Sequence, residues 1–538
     1  MPTTRPSGFR GVFTDGTLAR AVYAEGAGIA RAIPRAIAVP TDADDAAHLV
    51  RWASENGAAL IARGSGSGMA GGAVGDAIIV DLSRLNAIGD IDPTSRRVWV
   101  GAGALRGAVD AAAHAHGLRF PVDPSSGAFC TVGGMAATNA AGARTLRYGA
   151  TRAWVSAVEC IFTDGERAVI RRGELPPTSL PAAVDRFLSN AAPSIATARA
   201  VTRPGLRKDS SGYALAEFAR SGDVVDVIIG SEGTLCLITG LELALDAIPA
   251  ATASVLAAFS SLDAAVDGAR ATREGGASAS ELLDRTFLDV AALGGARFLP
   301  AETEAAILVE VEGRRSSEAN ERARAIADAC TAAGASTVRI ALDASTEREL
   351  WALRHAASPI LSRLDPHLKS MQFIEDGAVP PDRLPAYVEG VRSALESRGI
   401  RGVIFGHAGD GHVHVNPLID VREPSWRDQV AGLLEEVTSL VASLGGTLAG
   451  EHGDGRLRTP LVARTWSADA VASFARVKAA FDPTGVFNPG VKVPTGGQRP
   501  IEDVKYDPSL PPLPERARAA LDAIERERGY SRFRLSLV

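Results

Sequence analysis

The chain has 538 residues, enough for two or three domains with sizeable cores. Hydrophobic residues make up 46% and charged residues 22%, an ordinary globular balance, and 57 Lys and Arg against 63 Asp and Glu give a net charge of −6. With no long basic run, nucleic acid is not an expected partner, and no apolar run is long enough for a membrane span.

The first residues, "MPTTRPSGFRG", lack a charged stretch followed by an apolar one, so no signal peptide is expected. Cys130, Cys160, Cys236 and Cys330 show neither CxxC spacing nor a disulfide framework. The expectation is a cytoplasmic protein, with a peripheral place at the inner membrane face left open, and with no iron–sulfur cluster encoded in the chain. The lysines are Lys208, Lys369, Lys478, Lys492 and Lys505. In this arginine-rich background, each is worth examining.

After an N-terminal helical segment (1–33), residues 36–63 read strand, helix, strand. "AIAVP" leads to Thr41 as N-cap, an apolar face at Ala46, Leu49, Val50 and Ala53, Gly57 as stop, then "ALIAR". Strands are expected at 77–82, 97–102, 155–162, 224–230 and 236–243, with a helix over 105–117. This block (34–248) is α+β and rich in glycine. Beyond it, "ASVLAAF", a helix from 261, "AILVEVEG" (306–313), a helix near 315–334 and "TVRIAL" (337–342) repeat a strand–helix–strand unit. They define a second α+β domain over 249–435. A segment over 436–495 holds a helix near 467–480 and the stop "FDPTGVFNPG". The tail, 496–538, opens on a proline-rich stretch expected to run over the surface.

"RGSGSGMAGG" (63–72) contains GxGxxG at Gly66, Gly68 and Gly71. A Rossmann fingerprint needs a helix directly after those glycines, but the next strand starts near residue 77 and leaves no room for one. What remains is a loop of unobstructed N–H groups able to wrap a phosphate, or a tight turn. "TVGGMAATNAAGARTLRYG" (131–149) and "GSEGTLCLITG" (230–240) are further glycine-punctuated loops, and three together suit one long ligand.

These loops, with "FPVDPSS" (120–126) and "RKDSSGY" (207–213), resemble the FAD-binding domain of the vanillyl-alcohol oxidase/PCMH flavoprotein superfamily. The resemblance implies a two-subdomain PCMH-type FAD-binding domain followed by an α+β substrate domain whose antiparallel sheet is built of ferredoxin-like repeats. It implies FAD contacts from Arg63, Gly64, Ser65, Gly66, Ser67, Pro121, Thr131, Gly133, Gly134, Thr138, Asn139, Gly142, Glu232, Gly233, Thr234 and Asn488. Members with covalent flavin carry histidine where Ser67 stands, so the FAD is expected to be non-covalent. Cys236 stands where glycine is usual.

"FGHAGDGHVHVNP" (405–417) gathers three of the nine histidines. If "HVHVN" is a strand, His412, His414 and Asn416 share a face, and the turn "AGDG" can fold His407 back towards it. "AGEHGDG" (449–455) adds Glu451 and His452. Two imidazoles, a carboxylate and a spare histidine make the donor set of an open zinc-type site with a base beside it. The bland alternative is a polar strand end.

H-x-G-D-G-x-x-H-x-N with G-E-H-G resembles the FAD-linked D-2-hydroxyacid dehydrogenases, a branch that includes D-2-hydroxyglutarate and D-lactate dehydrogenases and the glycolate oxidase flavin subunit. By that resemblance His407, His414 and Glu451 match the metal ligands and His452 the catalytic base. Zinc is the expected metal, with Mn, Fe or Co open. His412 stands where asparagine is usual, and is expected to support a ligand, with an added ligand as the alternative. Arg354 and Ser358, four apart on a helix over 346–358, and Lys369 match a substrate-carboxylate clamp that Asn416 completes, which favours a dicarboxylate. The expected activity is oxidation of a D-2-hydroxy acid, with D-2-hydroxyglutarate first. D-lactate or glycolate oxidation, another PCMH-type flavin oxidase and a non-enzymatic electron-transfer or assembly subunit are the alternatives. Electrons would pass to a separate acceptor: an electron-transfer flavoprotein, a quinone or an iron–sulfur protein. A homodimer is left open.

Overall fold

The computed structural model describes residues 4–174, 180–196, 202–293, 299–361, 367–530 and 534, with only the backbone of 196, 293 and 355–361. The first sheet carries parallel strands Ala36–Val39, Ile78–Asp81 and Leu60–Arg63, with Val12–Thr14 antiparallel at its edge. Helix Ala43–Glu55 is its crossover, and Ala46, Leu49, Val50 and Ala53 are all buried. The cap is Asp42 rather than Thr41: its carboxylate accepts from the Asp45 amide, whereas Thr41 bonds to the Asp45 carboxylate.

A second, antiparallel sheet orders Arg97–Gly101, Leu237–Ala244, Val155–Ile161 and Arg167–Arg171. The strand expected at 224–230 is instead the short helix Val224–Ile228. All five of its residues are buried, so a β-branched run here has no exposed face to set a two-residue period. The helical turn also brings the Gly230 amide to the Ala136 carbonyl, joining the second and third loops.

The second domain is built on an antiparallel sheet. Its strands Thr337–Ala341, Ala251–Phe259, Ala305–Gly313 and Ala279–Asp284 lie in that spatial order. Numbered along the chain this is 4-1-3-2, with helices Leu262–Glu274 and Ser316–Ala332 as crossovers: the ferredoxin-like pattern. The sheet continues through Gly402–Gly406 and His412–Asp420, joined by Leu282–Gly406 and Leu283–Phe405 pairing.

Helix Ala468–Phe481, capped by Ser467, leads to Phe487, which bridges back to Leu60 in the first sheet. The proline-rich stretch runs largely over the surface, as expected, but it is anchored at Val504 and Asp507. Val504 is fully buried and bridges Ala30, helix Glu515–Glu527 packs on Thr17–Val22, and the buried Arg534 donates to the Ser65 carbonyl (2.6 Å). Aliphatic and aromatic side chains of the last segment thus find cover that its composition does not announce.

Candidate active site and cofactor cavity

One cavity of about 970 Å³ runs between the two domains. Gly64, Ser65, Gly66, Ser67, Thr131, Gly134, Thr138, Glu232 and Gly233 wall one side; Arg354, Lys369, His414, Asn416, Glu451 and His452 line the other. The loops make their wall from main chain. Gly66 has φ +74°, a conformation few side chains tolerate, and a Cβ on Gly64 would sit 2.1 Å from Thr131 Oγ1. No helix follows the GxGxxG glycines before the strand at Ile78. The bare N–H groups of this loop suit a dinucleotide's phosphates.

Other expected FAD contacts stand behind this wall. Arg63 donates to the carbonyls of Tyr23, Glu25 and Ala73, so its guanidinium pins the loop from the back. Gly133 is pressed against Ala102 and Gly142 against the Asp123 backbone. Asn139, at φ +53°, accepts from the Arg152 amide; Thr234 is spent on Ser231 and Tyr213; Pro121 is buried. Asn488 donates to Gly72 and Glu232 carbonyls. The Glu232 carboxylate accepts the amides of Asp454 and Gly455 and pairs with Lys492, fastening the "GEHGDG" turn to the third loop. Cys236 lies in the core beside Cys160, away from the cavity.

The histidine stretch is the strand His412–Asp420, and Val413 and Val415 pack into the core on its far face. A 3-10 turn, Ala408–Asp410, returns His407 to the strand; Gly411 at φ +73° closes it, where a Cβ would meet the Val379 carbonyl at 2.3 Å. His407 Nε2 and His414 Nε2 then lie 3.2 and 3.4 Å from Glu451 Oε1. Ligand atoms in a tetrahedral shell with bonds of about 2.0–2.1 Å are about 3.3 Å apart, so this trio fits one divalent ion. His452, its ring stacked on His414 at 5.4 Å, directs Nδ1 to Glu375 Oε2 (2.8 Å).

Five residues of this cluster escaped the sequence reading of the site. Glu281, fully buried on strand Ala279–Asp284, accepts from His407 Nδ1 (2.5 Å) and from Arg354 Nε (2.7 Å). Lys208 pairs with Glu451 Oε2 at 2.9 Å. Glu375 holds Arg458 as well as His452, and Asp376 accepts the amides of Glu451 and His452 and faces His412. Only Lys208 carried a signal, as a rare lysine inside a quoted motif. Of the expected clamp, Arg354 and Lys369 both reach the cavity, Lys369 with its ammonium 5.5 Å from the Tyr506 ring centre. The side chain of Ser358 lies outside the described residues.

Here four buried carboxylates (Glu281, Glu375, Asp376, Glu451) face three permanent cations (Lys208, Arg354, Arg458). Burial opposes the charge on Glu451, but Lys208 and His407 outweigh it and hold the carboxyl well below its usual range. Burial likewise opposes protonation of His414 and His452, yet neighbouring carboxylates carry them to about 8 and about 9. His412 goes the other way, to about 3, because burial dominates. With the imidazoles neutral, as metal binding requires, the four carboxylates exceed the three cations by one, a charge that a divalent cation at His407, His414 and Glu451 would offset.

A glycine-loop cavity that ends in buried acid–base groups and a metal-type donor set defines a flavin-dependent oxidoreductase. The family model described as "FAD binding domain" matches residues 34–171, and "FAD linked oxidases, C-terminal domain" matches 248–491. The chain is 29% identical to glycolate oxidase subunit GlcD of Escherichia coli over 443 residues, 81% of this chain and 79% of that protein. It is 30% identical to a D-2-hydroxyglutarate dehydrogenase of Pseudomonas putida over 535 residues, 94% of this chain but only 53% of that protein, so it spans about half of that relative's length. The solved 4-ethylphenol oxidase from Gulosibacter chungangensis shares the fold, with TM-score 0.66 at 15% identity over 89% of this chain and 94% of that one. The two family models, which together span most of the chain, make it an FAD-linked oxidoreductase. No helix of the described residues is long and apolar enough to cross a membrane.

Proposed function

We propose that the protein oxidises a D-2-hydroxy acid, D-2-hydroxyglutarate before D-lactate or glycolate, to the 2-oxo acid and passes the electrons to a separate acceptor. The observation that carries this reading is the convergence of His407, His414 and Glu451 beside His452, with His414, Glu451 and His452 lining the cavity that the glycine loops wall. The names of the relatives agree in substrate class. Bound FAD supplies the hydride acceptor, and a divalent metal, zinc in our reading, supplies a Lewis acid for the substrate's hydroxyl and carboxylate oxygens.

The chain's own groups do the rest. His452 donates Nδ1–H to Glu375; in the neutral ring this leaves Nε2 as the basic nitrogen to take the C2 hydroxyl proton, and a cation held at Glu451 would oppose the protonation that the carboxylates favour. Lys208 keeps Glu451 charged and fixed. Arg354 and Lys369 hold the distal carboxylate of a dicarboxylate, with Asn416 on the same wall. Glu281 ties Arg354 to His407, so the clamp and the metal donor are oriented by one carboxylate.

The test is anaerobic mixing of the flavin-loaded protein with D-2-hydroxyglutarate, D-lactate and glycolate. The flavin should bleach fastest with the dicarboxylate. Lys369→Met should raise KM for it on the order of 10–100-fold while leaving D-lactate unaffected, the loss of one charged hydrogen bond. Faster bleaching by D-lactate or glycolate would remove the dicarboxylate reading. No bleaching by any of the three, with FAD bound, would leave an electron-transfer or assembly role.

A further inference from the structure

The three histidines of the strand and turn share one pattern. In each, one ring nitrogen is held by an acceptor and the other is turned to different use. His407 gives Nδ1 to Glu281 (2.5 Å) and His414 gives Nδ1 to the Glu375 carbonyl (2.9 Å), which frees both Nε2 atoms for Glu451. His412 gives Nε2 to Asp376 Oδ1 (2.9 Å). Asp376 already accepts the amides of Glu451 and His452, so it faces the imidazole as an acceptor and the proton sits on Nε2. Nδ1 is thereby left with its lone pair. It is buried and has no hydrogen-bond partner among the described residues, and the side chain is wholly inaccessible.

A bare buried acceptor is uncommon because its lost hydration is not repaid. Here it has a candidate partner. A ring nitrogen of His412 lies within 4.8 Å of the ligand atoms of His407, His414 and Glu451, and its ring centre is 4.7 Å from that of His414 and 5.3 Å from that of His407. A role through hydrogen bonding to a ligand does not fit, because Nε2 touches Asp376 and not the side chain of a metal donor. We propose that His412 is a fourth protein ligand of the metal, binding through Nδ1, with Asp376 as the carboxylate that orients it. The protein's share of the site is then three imidazoles and one carboxylate, and substrate oxygens would complete it.

The inference rests on the metal reading above, and its test separates the two. Wild-type protein, freed of metal by chelation and reloaded with Zn²⁺ alone, is examined by X-ray absorption, and affinity is measured by competition with a chromophoric chelator. Three imidazoles in the first shell are expected, falling to two in His412→Asn. The variant should bind Zn²⁺ at least ~100-fold more weakly, the upper end of what loss of a supporting hydrogen bond costs. Two imidazoles in the wild type overturn the fourth ligand and leave the metal site standing. No stoichiometric Zn²⁺ in the wild type removes the metal reading and this inference with it. If His412→Asn does not fold, the wild-type imidazole count still decides.

Discussion

At the loop side of the cavity the wall is largely main chain, shaped by Gly64, Gly66 and Thr131. Across from it the wall is side chain, with Glu281, Glu375, Asp376 and Glu451 buried among Lys208, Arg354, Arg458 and four imidazoles. The first side is sensitive to added volume and the second to an unpaired charge. A lesion in either should therefore leave the other working, and four measurements press on that division.

The largest effect is expected at the charged side. His452→Ala should slow flavin reduction by D-2-hydroxyglutarate roughly 10²–10⁴-fold, the usual worth of a general base, with FAD and Zn²⁺ content unchanged. Stopped-flow bleaching at about the wild-type rate would sink the base assignment. Lys208→Met comes next. It strands Glu451 without its cation, and breaking such a buried pair costs about 3–5 kcal/mol. The melting temperature should fall steeply in chelator and much less with Zn²⁺ present, because the ion replaces the lost positive charge. An equal fall in both conditions would mean that no metal sits beside Glu451.

Gly64→Ala tests the other wall. The new Cβ meets Thr131 Oγ1, and overpacking of this kind costs about 1–3 kcal/mol. FAD occupancy, read from absorbance, should drop while Zn²⁺ content holds, and Thr131→Ala added to it should restore part of the flavin.

The smallest effect concerns Asp284, a carboxylate with no ion pair among the described residues. Burial raises Asp284 to about 7, opposite to the paired carboxylates of the cluster. A raised folded-state pKa gives stability that is complete below the unfolded value of about 4 and is lost as pH rises through about 7. Between pH 5 and 8 the melting temperature of the native chain should therefore decline relative to Asp284→Asn. Parallel profiles would show that Asp284 ionises freely.

Much of this contrast is visible along the chain. Glycine spacing marks the loops, and the two-residue period of "HVHVN" places His412 and His414 on one face with the valines packed behind, as the strand shows. The helix at Val224–Ile228 was not legible, because a run buried on every side carries no period to read. The anchoring of the tail at Val504 and along helix Glu515–Glu527 was not legible either: its cover comes from residues 17–30, almost five hundred positions away.

The sequence by itself determined the type of chemistry: glycine loops for a long phosphate-bearing cofactor, and histidine and carboxylate motifs for a metal-type site. It did so because backbone freedom and donor type are local properties of residues. Only the tertiary structure decided which groups are charged and which nitrogen each imidazole offers. Those depend on Glu281, Glu375 and Asp376, which reach the histidines from distant elements, and on Lys208, which reaches Glu451, and burial makes their pairing decisive. Sequence spacing brings His412 to the site; the contact with Asp376 is what leaves its Nδ1 bare.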